Sequence, residues 1–411
     1  MSFAPWALTL VGGVMTGAAI CALFVVRFRR MPVTVVAIVA GVVVCAAGIG
    51  MIWAEPGRTD TSLASLFIVV GSAAGGFGLA AEAIAPLTRM RTDPPRADAV
   101  ETAQRVAVVL LADAETEEYR PADVTRDLDA FERADVPLPP AIARTFVYAS
   151  ERARFRFAGG SPSRSAVRAI SDALGARLRE SGTDAPIETA YCTGGPSLAE
   201  AAARMSAHEG GTVVVAALTV AWTQAFDAAM SDLHALDPSG SRLRIEATEP
   251  LWASHAIAVR DAERTVTAFG DAPATDGVVL VSRGNPWQFD RAFPTAMEQT
   301  TYLAQRVRAE LIDAGIPAER VRQAWLEWEE PDVGEAVRHL AALGAAQVAL
   351  LPIDLLVESL NTTVDLHMAA ERAANESGVR VAVVAPLGDD DAVVGALCAA
   401  VLEAAGRPTS G

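Results

Sequence analysis

With 411 residues, 51% of them hydrophobic, the chain has material for a large core and for membrane-buried segments as well. Its formal net charge is −16, split as +3 over residues 1–91 and −19 over the rest. So acidic a body repels phosphate backbones, which excludes nucleic acid as a partner class, and its four cysteines fit neither a zinc spacing nor a disulfide framework.

Three apolar runs open the chain, at residues 4–26, 33–53 and 63–87. Each reaches the ~20 residues a helix needs to cross a bilayer. A cleaved leader is a poor account of the first run: no basic residue precedes it, it is too long, and no small-residue cleavage site follows. Arg27, Arg29 and Arg30 lie between the first two runs, and Arg89, Arg91 and Arg96 follow the third. Between runs two and three Arg58 stands beside Glu55 and Asp60. The positive-inside rule therefore predicts a multi-pass protein of the cell membrane with its N-terminus outside and its large domain in the cytoplasm, Trp6 and Trp53 marking the outer interface. The bilayer is thus the first partner expected. Gly13 with Gly17, and Gly71 with Gly75, have the spacing that lets helices approach closely, within one three-helix bundle or, alternatively, between copies. Glu82 lies near the inner end of its run, where snorkelling accounts for it.

Residues 1–91 form the expected transmembrane domain and 92–102 a linker, stiffened by Pro94 and Pro95. Beyond it, short apolar runs at 106–111, 212–220, 278–281, 347–352 and 379–385 read as strands buried on both faces. Stretches 165–179, 298–314, 333–343 and 390–405 have helical periodicity. Strands alternating with helices predict an α/β fold with parallel sheets, in two similar Rossmann-like halves at 103–272 and 273–411 with ligand space between them.

Five landmarks carry a resemblance. The first strand enters an acidic stretch, 114–118, ahead of Arg120 and Pro121, similar to a "GGPET…VRP" region. Gly159-Gly160-Ser161-Pro162 resembles "GGSPI". Residues 212–221 ahead of a polar loop resemble a strand and its "YPQYS" loop, and EPLWASH at 249–255 a "W…H" segment. LLPIDLLVESLNTTVDL, at 350–366, is the most specific, resembling "VPI.F.SD..ETL.EID". In this order and spacing, from about residue 105 to 388, the soluble part resembles the ferrochelatases, which insert iron into porphyrins. The resemblance implies a chelatase-like pair of halves.

The departures fall on the chemistry. The family's "SAHSLP" loop supplies a His that faces the porphyrin; here Ser282-Arg283-Gly284-Asn285-Pro286 is one residue shorter and Gly284 takes that place. The partner Glu of "ETL" falls on Asn361. Metal insertion needs two pyrrole protons removed and a divalent ion delivered, work for a base and ligands that Gly lacks and an amide performs badly. Trp222 stands in the altered "YPQYS" loop, Asp113 replaces an aromatic or polar residue after the first strand, and the "QSKVGP..W" stretch is missing around 325–331. The resemblance leaves Asp113, Ser161, Pro162, Trp222, Ser282, Arg283, Glu358 and Asp365 as candidates to line the ligand space, with no metal ligand assigned.

Outside the resemblance, Glu327, Glu329 and Glu330 beside Trp325 and Trp328 read as a solvated turn, and Ser161 as a helix N-cap. None of the five histidines has a His or Cys at metal spacing, and His367 should point away from Asn361. The expectation is a membrane-anchored, catalytically inactive ferrochelatase-like protein binding a tetrapyrrole (haem or porphyrin) or metal. A scaffold contacting a membrane or haem-pathway protein is the first alternative. An active chelatase with Glu358 or Asp365 as relocated ligand is the second. Porphyrin and haem stay open as ligands; no iron–sulfur cluster is expected.

Overall fold

Runs of aliphatic residues without polar interruption make the central strands, because parallel strands covered on both faces leave no position for a solvated side chain. In the computed structural model, residues 4–26, 31–53, 61–88, 105–209, 211–236, 244–269 and 276–406 are described. They form two compact units, one joining Met1–Thr92 to Glu118–Gly159, the other joining Asp93–Glu117 to Gly160–Gly411. The boundaries expected at 91 and 102 lie outside the described residues, and segment 118–159 groups with the membrane helices.

The first unit contains α1 (Ala4–Val25), α2 (Met31–Trp53) and α3 (Thr61–Thr88), each long and apolar enough to cross a membrane. They support a multi-pass membrane location. α1 packs along both others, whereas α2 and α3 barely touch. Glycine sets the approach: a side chain at Gly12 would meet the Cys45 backbone, and one at Gly17 the carbonyl of Ala73. Gly13 likewise faces Ser72. Gly71 and Gly75 do not serve this packing; they have open space around them. α2 turns Val33, Val36, Val39 and Val43 outward, as a lipid-facing helix would. The same unit holds α4 (Pro121–Arg133) and α5 (Ala141–Ala158). Tyr119, Val124, Leu128 and Tyr148 share one core with Cys21, Val25, Ala81 and Ile84 of α1 and α3. Thr125 and Tyr148 join hydroxyls at 2.9 Å inside it.

The second unit carries two four-stranded parallel sheets. One comprises β1 (Arg105–Ala112), β2 (Ile187–Tyr191), β3 (Gly211–Leu218) and β4 (Arg244–Ala247) in the order β2-β1-β3-β4. The other repeats it with β5 (Gly277–Ser282), β6 (Val321–Trp325), β7 (Gln347–Pro352) and β8 (Arg380–Val383), ordered β6-β5-β7-β8. The two similar halves expected from sequence are present. Alternation divides each central strand between two cores. Val108 and Leu110 of β1 and Val278 and Leu280 of β5 enter one shared core, while Val109, Leu111, Val279 and Val281 face outer cores. Four helices line the shared core: α6 (Ser163–Glu180), α9 (His255–Phe269), α11 (Pro294–Asp313) and α14 (Asp391–Gly406). α14 ends the chain yet packs on β3 and β4, and α9 follows β4 yet packs on β7. This exchange of helices makes the halves one body. The outer faces are covered by α7 (Leu198–Glu209) and α8 (Gln224–Leu236) in the first half, and by α12 (Val333–Ala342) and α13 (Leu366–Ser377) in the second. A short α10 (Trp287–Ala292) precedes α11.

Candidate functional site

Open α/β sheets bind ligands outside the C-terminal ends of their strands, where connections diverge. Here β1, β5 and β7 end in segments 113–117, 283–286 and 353–360, and these segments meet. Arg283 donates its backbone N–H to both oxygens of Asp354, at 3.2 and 3.1 Å, tying the ends of β5 and β7 together. The Arg283 guanidinium lies 3.9 Å from the Asp113 carboxylate at the end of β1. Desolvation pushes the Asp113 carboxyl up, the Arg283 charge opposing and Glu115 adding to it. Two fifths of the Asp113 side chain still meets solvent, so it stands in a wet recess.

A set of carboxyls with raised affinity for protons surrounds Arg283 and Asn285. Burial raises Asp354 to about 6 against hydrogen bonds from backbone N–H groups, with Glu329 adding repulsion. Glu329 is raised by burial and by Asp290, opposed by the Asn285 backbone N–H. Asp290 is raised by burial while the Asn285 side chain donates to it. Asp354 can therefore hold a proton somewhat below neutrality, beside the fixed positive charge of Arg283. Among the described residues no group of three His, Cys, Asp or Glu is arranged to hold a metal.

Gly284 has a positive φ of 83°, and a Cβ there would overlap the carbonyl oxygen of Glu327, 3.1 Å from its carbonyl carbon and 3.4 Å from Trp325 Cδ1. The chain beyond β6 is drawn onto this loop, Leu326 and Glu327 donating N–H to the carbonyls of Ser282 and Arg283 at 2.9 and 3.0 Å. The volume a histidine would need is thus filled by backbone. Asn361 opens a π-helical turn, Asn361–Asp365, which delivers the chain into α13. Thr362 and Thr363 bond back to Ser359 to hold that turn.

The other candidates separate. Ser161 is buried, and its hydroxyl donates to Glu115 at 3.0 Å and accepts from the Ser163 N–H at 3.3 Å. It does the work expected of an N-cap one residue early, since Pro162 occupies the cap position of α6. Trp222 follows β3, donates its backbone N–H to the Gln299 side-chain oxygen at 2.9 Å and lays its ring against Phe226, 6.1 Å away, beside an outer core. Ser282 is buried at the end of β5 with its hydroxyl unbonded among the described residues. Glu358 is exposed, and Asp365 is half-buried at the start of α13. His367 is exposed and ties back to the Thr362 carbonyl at 2.8 Å.

Sequence reasoning passed over two groups. Glu115 accepts from Ser161, Ser163 and, at 3.2 Å, the N–H of Leu360, joining the first strand's loop to the GGSP element and to the π turn. Glu329 differs from the solvated turn expected of it: Glu327 and Glu330 are exposed, but Glu329 is half-buried beside Asp290. A shallow depression of about 440 Å³ between the N-termini of α9 and α14 is lined by none of the candidates.

The ferrochelatase family model matches residues 122–405. The chain belongs to the ferrochelatase family. Solved structures with similar folds include SirB from Bacillus subtilis with Fe3+, at 13% identity over 74% of this chain and 96% of that one, TM-score 0.47. Another is the sirohydrochlorin chelatase SirB from Bacillus subtilis subspecies spizizenii in complex with cobalt, at 11% identity over 74% and 97%, TM-score 0.46. DR2241 from Deinococcus radiodurans, described as a multi-domain protein with structural similarity to chelatases, has 16% identity over 75% and 56%, TM-score 0.44. Among curated proteins none matches this chain.

Proposed function

We propose that this ferrochelatase-family chain is a membrane-anchored protein that does not insert metal and instead binds a tetrapyrrole, porphyrin or haem, at the ends of β1, β5 and β7. The observation that carries the reading is Gly284. The position that should supply base and metal ligand has no side chain and no room for one, because the Glu327 carbonyl fills it. Without a side chain at that position, pyrrole deprotonation loses the acceptor that the family's histidine would supply there. The family's second group, at Asn361, is an amide, which compounds the loss. Arg283, exposed at the rim with its guanidinium 3.9 Å from Asp113, is a group suited by charge and shape to a propionate carboxylate. The large domain faces the cytoplasm in this reading, as the distribution of arginines around the spans supports.

The test is absorbance titration of the full chain in detergent with coproporphyrin, protoporphyrin and haem, followed by ferrous iron. The full chain is needed because α4 and α5 share a core with α1 and α3. A saturable Soret shift without metalloporphyrin formation supports the proposal. Metalloporphyrin formation would instead establish a working chelatase with relocated ligands. No shift with any of the three, in folded protein, would move the reading to a membrane-tethered interaction protein.

A further inference from the structure

The outer face of α5 carries a stripe that the proposed function leaves unused. Ile142, Phe146, Ala153 and Phe157 recur at the spacing of one helix face, and all are exposed. Phe146 and Phe157 leave 60% and 75% of their surface uncovered. The opposite face, with Thr145 and Tyr148, is buried, so α5 is fully anchored and still presents two phenylalanines outward.

The stripe is continuous with the surface that faces lipid. The Phe146 ring lies 5.7 Å from that of Phe24, inside the apolar span Pro5–Val25. Ile142 Cδ1 comes 3.7 Å from where a Cβ on Gly78 would stand. Gly78 belongs to the span Leu66–Ile84, ~9 Å short of its end at 1.5 Å per residue. The start of α5 therefore reaches inside the apolar span of α3, and Phe146, beside Phe24, lies near the end of the span of α1. One turn from the stripe, Arg152 donates to the carbonyls of Leu23 and Val26, the last acceptors of α1. Arg156, exposed, and Arg154, paired to Glu151 at 2.5 Å, flank Phe157, and an apolar stripe bordered by arginine is the pattern of a helix lying in a membrane interface.

We propose that α5 is such an interfacial helix: Ile142, Phe146 and Phe157 insert into the bilayer where α1 and α3 leave it, and the exposed Arg156 reaches anionic lipid headgroups. The test uses the full chain with Cys192, the partly exposed cysteine, replaced by alanine. Phe157→Cys and, as a solvated reference, Glu180→Cys carry an environment-sensitive fluorophore in vesicles of phosphatidylcholine with or without phosphatidylglycerol. The Phe157 label should emit further to the blue, lose most of its emission to nitroxide-bearing lipid and resist aqueous iodide, with the Glu180 label doing the opposite. Phosphatidylglycerol should deepen the lipid quenching; no change with it would overturn the headgroup contact. Iodide quenching equal at both sites would overturn the insertion. So would a blue shift that grows with protein density and ignores the lipid quencher, which would mean that a second copy covers the stripe.

Discussion

Gly284→Ala should destabilise the second unit far more than a left-handed backbone alone accounts for. Forcing a residue with a Cβ into positive φ costs ~1–2 kcal/mol. At Gly284 the new atom also overlaps the Glu327 carbonyl, so 326–327 must retreat. Retreat gives up the hydrogen bonds from Leu326 and Glu327 to Ser282 and Arg283. At ~1 kcal/mol each, these bring the total to about 3–4 kcal/mol. Gly344→Ala is the matched control, because Gly344 has φ 81° in the same unit with nothing within 4 Å of the added atom. Urea unfolding of both variants in detergent, followed by intrinsic fluorescence, isolates the overlap as the difference of about 2 kcal/mol. Equal losses for the two variants would refute the reasoning: the loop would then give way freely, and a histidine would be excluded from that place by sequence alone. Gly284→His should likewise restore no metal insertion, since the ring would arrive only by displacing Glu327.

Three further outcomes follow from single contacts. Glu115→Ala removes the acceptor shared by Ser161, Ser163 and Leu360 and should cost about 3 kcal/mol in urea unfolding, with Glu115→Gln recovering part of it. Arg152→Ala uncovers the last carbonyls of α1 and should lower stability in detergent by ~1–2 kcal/mol, Arg152→Lys restoring less than half because it offers no planar fork. Asp261, buried in α9, has a carboxyl raised by burial from 3.8 to about 8, Arg264 opposing and Asp390 adding. Below the unfolded value both states hold the proton; above it the unfolded chain releases the proton while the folded chain keeps it. Stability from this group therefore falls as pH rises, at up to ~1.4 kcal/mol per unit, until Asp261 ionises near 8. Asp261→Asn should flatten that slope in pH-dependent unfolding, and an unchanged slope would remove Asp261 as its source.

The membrane helices and the central strands were legible because one solvent condition governs each whole segment. β1, β3, β5 and β7 are apolar but for a residue at or next to one end, and the spans are apolar around nearly their whole circumference. The short outer strands β2, β4 and β6 were missed for the same reason reversed. IETAY, RIEA and VRQAW lie at sheet edges, half in solvent, and their charged residues break the run. α5 was hidden more deeply, since its covered face depends on α1 and α3, far earlier in the chain, and its outer face is apolar as well. At the site, the exchange of the family His for Gly284 could be read directly. That Glu327 fills the space could not, because nothing in a shortened loop says which backbone will close over it. Glu115 was visible as one acid among several; its bonds to two distant segments were not.

What survives of the family pattern is what the fold itself requires. The GGSP element persists although Ser161 has no catalytic partner, because its hydroxyl and that of Ser163 satisfy Glu115 in a buried corner. Gly160 persists at φ 125° because the Glu117 carbonyl lies 2.9 Å from where its Cβ would be. The segment after β7 persists because Asp354 holds the β5 loop and because the π turn carries the chain into α13. Each of these positions has a structural reason of its own in this chain, so its presence is evidence of architecture and carries no evidence of turnover. Gly284 and Asn361 are the positions where chemistry alone would have kept a particular side chain. At one of them the backbone of 326–327 has taken the space outright.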